Sequence, residues 1–154
     1  MKPRNLLLAV FMGLFAVAMY AAENPNLGTW KLNEAKSKIP AGAPMNTTVV
    51  YSAEGDSVKV TTDGVDSKKQ PAHSEWVGKF DGKDYPVTGG EAGTTRAYKE
   101  VNERKLDISN KVNGKETLHG TIEVAKDGKS RTVTLESTGP DGKKTKSKGV
   151  YDKQ

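Results

Sequence analysis

An arginine and a tyrosine near the middle of the chain have side chains that suit the binding of an amphipathic molecule. Arg96 and Tyr98 are two residues apart, so they share one face of an extended strand. Arginine donates paired hydrogen bonds that match a carboxylate, and tyrosine adds a hydroxyl to an apolar ring. Three aromatic residues on neighbouring segments would complete such a pocket, namely Trp76, Phe80 and Tyr85. One alternative stays open, in which Arg96 and Tyr98 face solvent while Thr95 and Ala97 face the interior.

Residues suited to catalysis or metal binding are scarce. The chain has no cysteine and only two histidines, His73 and His119, and strand alternation places both on the solvent face. A zinc site takes three or four protein ligands, and the Asp-Gly pairs are typical of tight turns rather than of a calcium cage. We therefore expect no enzymatic activity, no metal and no cofactor.

The densest positive charge lies in the segment KKTKSK, residues 143–148. If Tyr151 points inward, alternation places three lysines on the outside of the same strand, namely Lys144, Lys146 and Lys148. Outward lysines usually keep a strand soluble; the alternative is a surface that binds a polyanion. Loss of Lys2 and Arg4 with an N-terminal signal would lower the formal charge from +5 to +3. That modest charge requires no nucleic acid partner.

The first residues have the layout of a secretory signal. Lys2 and Arg4 precede a long uncharged run whose most apolar part reads LLLAVFMGLF. This apolar part is shorter than the roughly 20 apolar residues that a membrane-spanning helix needs. We expect residues 1–22 to form a cleaved signal helix and residues 23–154 to form one periplasmic or extracellular domain, without stable membrane insertion. The alternative is an uncleaved N-terminal anchor.

Turn signals recur along the rest of the chain at intervals typical of short consecutive strands. They are Asp-Gly or Asn-Gly pairs, which accept the positive φ of tight turns, at residues 63–64, 81–82, 113–114, 127–128 and 141–142. Apolar and polar residues alternate between them, as in SVKVT, RKLDIS, HGTIEV and RTVTLES. The pattern predicts an all-β, up-and-down antiparallel meander of about eight to ten strands that closes into a barrel.

Two short motifs resemble those of known β-barrel families. Gly28 and Trp30 form the Gly-x-Trp motif that opens the first strand of lipocalins and intracellular fatty-acid-binding proteins, in which the Trp closes the barrel floor. The C-terminal GVYDK, with Tyr151, resembles the last strand of fatty-acid-binding proteins, where an Arg-x-Tyr pair meets a ligand carboxylate. Here Gly149 stands at the Arg position. The resemblance implies a lipocalin-like barrel with structural roles for Gly28, Trp30 and Tyr151.

The whole mature chain is also similar to a group of small exported bacterial proteins that carry GTWKLN, DGKDYPVTG and a terminal VYDKQ. That similarity implies export but no particular activity. The residues and the resemblances together favour an exported, non-enzymatic protein that binds a small amphipathic or apolar ligand. The alternative is an interaction module that binds a protein or a polyanion through its Lys-rich outer strand. Both alternatives leave the oligomeric state open.

Overall fold

The computed structural model describes residues 23–154, so the expected signal helix lies outside the described residues. The described chain is built from ten strands and one short 3-10 helix at Glu34–Lys36. The strands are β1 Gly28–Leu32, β2 Met45–Glu54, β3 Ser57–Val65, β4 Pro71–Gly78, β5 Tyr85–Thr88, β6 Thr94–Asn102, β7 Lys105–Val112, β8 Lys115–Val124, β9 Ser130–Thr138 and β10 Lys144–Lys153.

The strands form one closed antiparallel barrel. Each strand pairs with the next along the chain, and β1 closes the ring by pairing with β10, where Trp30 lies opposite Lys153. Within residues 23–154, closure gives every strand a partner on both sides, so the barrel has no edge strand that another chain could extend. The predicted all-β meander barrel is therefore confirmed, at the upper end of the predicted strand range.

Four of the five glycine pairs lie in turns, as predicted. At the β7–β8 turn, for example, Asn113 and Gly114 both have positive φ, of 49° and 81°, which two-residue hairpin turns of the primed types require. The prediction was wrong at Asp63-Gly64, which lies inside β3. A Cβ atom on Gly64 would overlap the carbonyl oxygen of Met45 on β2, so this glycine permits a close approach of two strands beside a β-bulge.

Trp30 fills the end of the barrel where β10 finishes. Its side chain is fully buried, and its Nε1 donates a hydrogen bond of 2.9 Å to the Asn26 carbonyl oxygen. Lys153 places its Nζ 5.2 Å from the centre of the indole ring. Around it lies one apolar core drawn from many strands, which includes Val49, Val60, Leu106, Ile122 and Val124. Trp30 is therefore part of the packed end of the barrel, its floor.

The outer face of the barrel carries a chain of ion pairs across β3 and β4. His73 places Nδ1 2.6 Å from Asp63 and Nε2 3.6 Å from Glu75, and Lys59 lies 3.1 Å from Glu75. The His73 side chain is 53% exposed, in agreement with its predicted outward orientation. The hydrogen bond to Asp63 is the largest cause that raises the pKa of His73 above its ordinary value of 6.5, and Glu75 adds to it.

This raised pKa predicts a pH-dependent contribution of His73 to stability. Because the folded pKa lies above the unfolded one, the contribution is complete below the unfolded value and is lost as the pH rises through the folded value. We expect His73→Asn to lower the melting temperature slightly at about pH 5.5 and by less at about pH 8.5. Thermal unfolding of both proteins at the two pH values checks this. An equal difference at both would show that His73 protonation is not linked to folding.

Candidate functional site

The barrel interior contains a cavity at the end opposite Trp30. Its volume is about 550 Å³, and it opens between the β1–β2 loop, residues 39–44, and the turn between β9 and β10. Apolar side chains form much of its wall, namely Ile39, Met45, Leu118, Val133 and Leu135. Small hydroxyl residues of β9 and β10 form another part, namely Ser137, Thr145 and Ser147. The mixture suits a molecule that has both apolar and polar parts.

A smaller chamber of about 80 Å³ extends the cavity towards the barrel floor. The two spaces share wall residues, among them Arg96, Asn110 and Tyr151. Deeper still, the chamber is lined by Tyr51, Tyr98 and Arg131. The apolar residues Leu118, Val133 and Leu135 line both spaces, and the chamber adds two phenols and a second guanidinium to them.

Arg96 points into the barrel, which settles the alternative left open by the sequence. Its Nε donates a 2.8 Å hydrogen bond to Oδ1 of Asn110, which lies directly opposite on β7. Its Nη1 lies 3.5 Å from the Tyr98 hydroxyl, which in turn lies 3.5 Å from the Tyr51 hydroxyl. Arg96 and Tyr98 therefore belong to one polar network on the cavity wall.

The three other predicted pocket residues form a packed aromatic cluster beside this network. The Trp76 ring lies 4.7 Å from the Tyr98 ring, 5.6 Å from Tyr85 and 6.4 Å from Phe80, between centroids. Trp76 is 1% exposed and donates a hydrogen bond from Nε1 to the Arg96 carbonyl oxygen. Of the five predicted residues, Arg96 and Tyr98 are wall residues of the cavity and chamber described above. The position of the others favours a packing role.

Phe80 lies outside the strands of the barrel. Strand β4 ends at Gly78, and Phe80 lies in the loop that follows. A Cβ atom on Gly78 would lie 2.6 Å from the Trp76 ring and 2.7 Å from the Tyr85 ring. The glycine therefore leaves the space that these two aromatic rings occupy at the end of β4.

The sequence analysis missed Arg131, the most unusual residue of the interior. Arg131 is 2% exposed, and its guanidinium carbon lies 4.8 Å from the Trp30 ring, 4.7 Å from Tyr51 and 5.2 Å from Tyr151. Within residues 23–154, its Nε and Nη1 have no hydrogen-bond partner. Strand alternation could have revealed it, because Val133 lies two residues further along β9 and was predicted to face inward.

The electrostatics of the chamber are positive. Its wall includes Arg96 and Arg131, and no aspartate or glutamate is among the described residues that line the chamber or the cavity. Burial raises the pKa of Tyr51 far above its ordinary range, and Tyr98 raises it further, although Arg131 acts in the opposite direction. Burial likewise raises the pKa of Tyr151. Both phenols therefore stay neutral at physiological pH and offer hydroxyl groups.

Gly28 and Tyr151, named from the family motifs, lie where close packing occurs. Gly28 has a φ of 119°, and a Cβ atom there would lie 2.8 Å from Cε of Lys153. Tyr151 points inward and donates a 2.9 Å hydrogen bond from its hydroxyl to the Asn46 carbonyl oxygen. At Gly149, a Cβ atom would lie 2.9 Å from the Tyr151 ring. A larger residue at this position, such as the Arg of fatty-acid-binding proteins, would displace that ring.

The lysine side chains of the Lys-rich strand point outward, as predicted, but a neighbouring carboxylate balances part of their charge. Lys144 lies 2.7 Å and Lys146 lies 3.7 Å from the Glu136 carboxylate on β9. The hydrogen bond from Lys144 is the largest cause that lowers the pKa of Glu136. Lys146 nevertheless keeps 81% of its side-chain surface exposed. The face therefore presents less free positive charge than its sequence suggests.

Across the described part of the chain, no group of three or more His, Cys, Asp or Glu side chains is arranged to hold a metal ion. No helix within residues 23–154 has the length and apolar character needed to cross a membrane. A scan against protein-family models finds no match to the chain, and a search of curated proteins finds none either.

Proposed function

We propose that this protein is an exported, non-enzymatic binding protein that takes a small amphipathic or apolar ligand into its barrel. The observation that carries the proposal is the interior cavity of about 550 Å³, which lies in the range of about 300–1,000 Å³ usual for small-molecule sites. Leu118, Val133 and Leu135 offer an apolar wall, and Arg96 and Asn110 offer hydrogen-bonding groups further in. A filled interior beside a continuous lysine face would instead have favoured the outer-surface module.

The proposal assigns the two parts of an amphipathic ligand to different depths. An apolar chain is desolvated against the wall near the opening, which is favourable in proportion to the apolar area removed from water. A polar end meets the chamber wall, where the network of Arg96, Asn110 and Tyr98 lies beside Arg131. Because this network is already partly hydrogen bonded, the site is organised before the ligand arrives, and little conformational freedom is lost on binding.

Filling the cavity should abolish binding. Ser147 lines the cavity from β10, whereas the next outward residue, Lys146, is exposed to solvent. We expect Ser147→Phe to weaken the binding of dodecanol and dodecanoate at least about 10-fold, the effect of losing about 1.4 kcal/mol of contact energy, while Lys146→Phe stays within about 2-fold of wild type. Tryptophan fluorescence provides the titration signal, because Trp30 and Trp76 both contact residues of the chamber wall.

The controls separate the cavity from the surface. Circular dichroism establishes that both variants fold, and native mass spectrometry of wild-type protein recovered from the exporting cell tests for a retained ligand. Equal binding by wild type and Ser147→Phe would place the ligand outside the barrel. Failure of wild type to bind either amphiphile would contradict the proposed function and favour the module that uses the Lys-rich strand.

A further inference from the structure

We infer that the ligand is an organic anion whose carboxylate-type or phosphate-type head group is bound by Arg131 at the floor of the barrel. This inference rests on the proposed function and names the chemical class of its ligand. It places the head group deeper than Arg96, the residue that the sequence indicated. Three observations support it: the unsatisfied donors of Arg131, the absence of a counter-charge on the described walls, and the shape of the interior.

The first observation is that two donor nitrogens of the buried Arg131 side chain are unsatisfied. Its Nε and Nη1 are both inaccessible to solvent and have no partner within residues 23–154. Three aromatic rings surround the guanidinium and stabilise its charge through their π faces, but these faces do not replace an oxygen acceptor in the guanidinium plane. A buried donor that lacks an acceptor is costly, so an acceptor in the chamber would satisfy it.

The neighbouring hydroxyl groups are already engaged with other partners. The Tyr151 hydroxyl donates to the Asn46 carbonyl oxygen, and the Tyr51 hydroxyl lies against that of Tyr98. No hydrogen bond from the Arg131 guanidinium to either phenol is found among the described residues. The two tyrosines therefore line the chamber without satisfying the Nε and Nη1 donors of Arg131.

The second observation is a charge imbalance. Two guanidinium groups, Arg96 and Arg131, line the chamber, and neither the chamber nor the cavity has a carboxylate among its described wall residues. Arginine keeps its positive charge in proteins, and buried charges are normally paired. Arg96 has Asn110 as a neutral acceptor, whereas Nε and Nη1 of Arg131 have no acceptor among the described residues. An anion that enters the barrel would supply the missing partner at Arg131.

The third observation is the size and connection of the two interior spaces. The small chamber beside Arg131 measures about 80 Å³, enough for a compact head group, and it joins the cavity of about 550 Å³. An apolar wall of Leu118, Val133 and Leu135 runs along both spaces. A ligand whose anionic head reaches Arg131 would therefore extend an apolar chain towards the opening. A small inorganic anion would leave that wall uncovered.

The test compares two amphiphiles that share one apolar chain and differ in the head group. We expect wild-type protein to bind dodecanoate roughly 10- to 100-fold more tightly than dodecanol, the range for a hydrogen bond to a charged group. In Arg131→Met, which retains an unbranched side chain, this preference should fall to about 1 while the affinity for dodecanol stays within about 3-fold of wild type. Lys146→Met, which removes an exposed positive charge from the outer face of the barrel, is the matched control and should retain the wild-type preference.

The outcomes distinguish this inference from the proposed function. If Arg131→Met keeps the wild-type preference, or if Arg96→Met alone abolishes it, the head group is not bound by Arg131, and the inference is overturned although the cavity still binds ligand. If neither amphiphile binds wild type, the proposed function itself has failed. If Arg131→Met does not fold, the affinity of wild-type protein for a cationic amphiphile provides the test. We then expect dodecyltrimethylammonium to bind more weakly than dodecanol. Equal or tighter binding of this cation overturns the inference.

Discussion

Replacing Trp30 with alanine is expected to lower the free energy of unfolding by about 3–5 kcal/mol, the usual cost of removing a large buried aromatic side chain. The indole is fully buried, and its Nε1 holds the N-terminal segment through the Asn26 carbonyl oxygen. Two cations, Arg131 and Lys153, also lie close to its ring. Truncation would thus remove packing at the seam where β1 closes the barrel against β10.

Urea denaturation followed by circular dichroism measures this loss. Lys31→Ala is the matched control, because Lys31 is the next residue of β1 and its side chain is exposed. We expect that control to stay within about 0.5 kcal/mol of wild type, as ordinary surface substitutions do. If Trp30→Ala were equally mild, Trp30 would contribute no packing to the closed end of the barrel.

Trp76→Ala is expected to destabilise the protein by a similar amount, about 3–5 kcal/mol. Trp76 is 1% exposed and contacts three aromatic rings, and its indole N–H bonds the backbone of β6 across the short strand β5. Strand β5 pairs with β4 and β6 at only two positions each, so packing of this cluster contributes much of the cohesion there. Its loss would loosen the wall that carries Arg96.

Comparison of stability with binding tests whether Trp76 packs the wall or contacts ligand. Trp76→Phe should recover part of the lost stability, and Val77→Ala, at an outward position that is 43% exposed, should change it little. A Trp76→Ala protein of nearly wild-type stability that no longer binds dodecanoate would contradict the packing interpretation. It would support the direct ligand contact that the sequence suggested.

The sequence was most informative where an interaction is local. Hairpin turns depend on two or three consecutive residues, so Asn113-Gly114 was predictable from the positive φ that such turns require. Inward and outward orientation depends on the alternation of one strand, so the exposure of His73 and the inward position of Tyr151 were also predictable. The turn predicted at Asp63-Gly64 was wrong because Gly64 permits close contact with β2, and no local pattern reveals that contact.

The prediction of the binding site was incomplete for a related reason. Arg96 was considered as an inward charge, but Arg131 was not, because charged residues are seldom buried without a partner. Arg131 violates that rule, and such violations concentrate where a function requires them. Trp76, Phe80 and Tyr85 had the residue types of a ligand pocket, but the same types also form packed clusters, and the sequence does not distinguish the two.

The sequence by itself determined the fold class, the antiparallel meander and the inward face of most strands, because these follow from turn chemistry and a period of two within short segments. Only the tertiary structure decided that the barrel is hollow near one end and that Arg131 meets Trp30, Tyr51 and Tyr151 at the other. These features depend on ring closure and on the register between strands that lie far apart along the chain. Local sequence carries little information about the cavity or about the surroundings of Arg131, because both depend on how side chains from all ten strands share one enclosed volume.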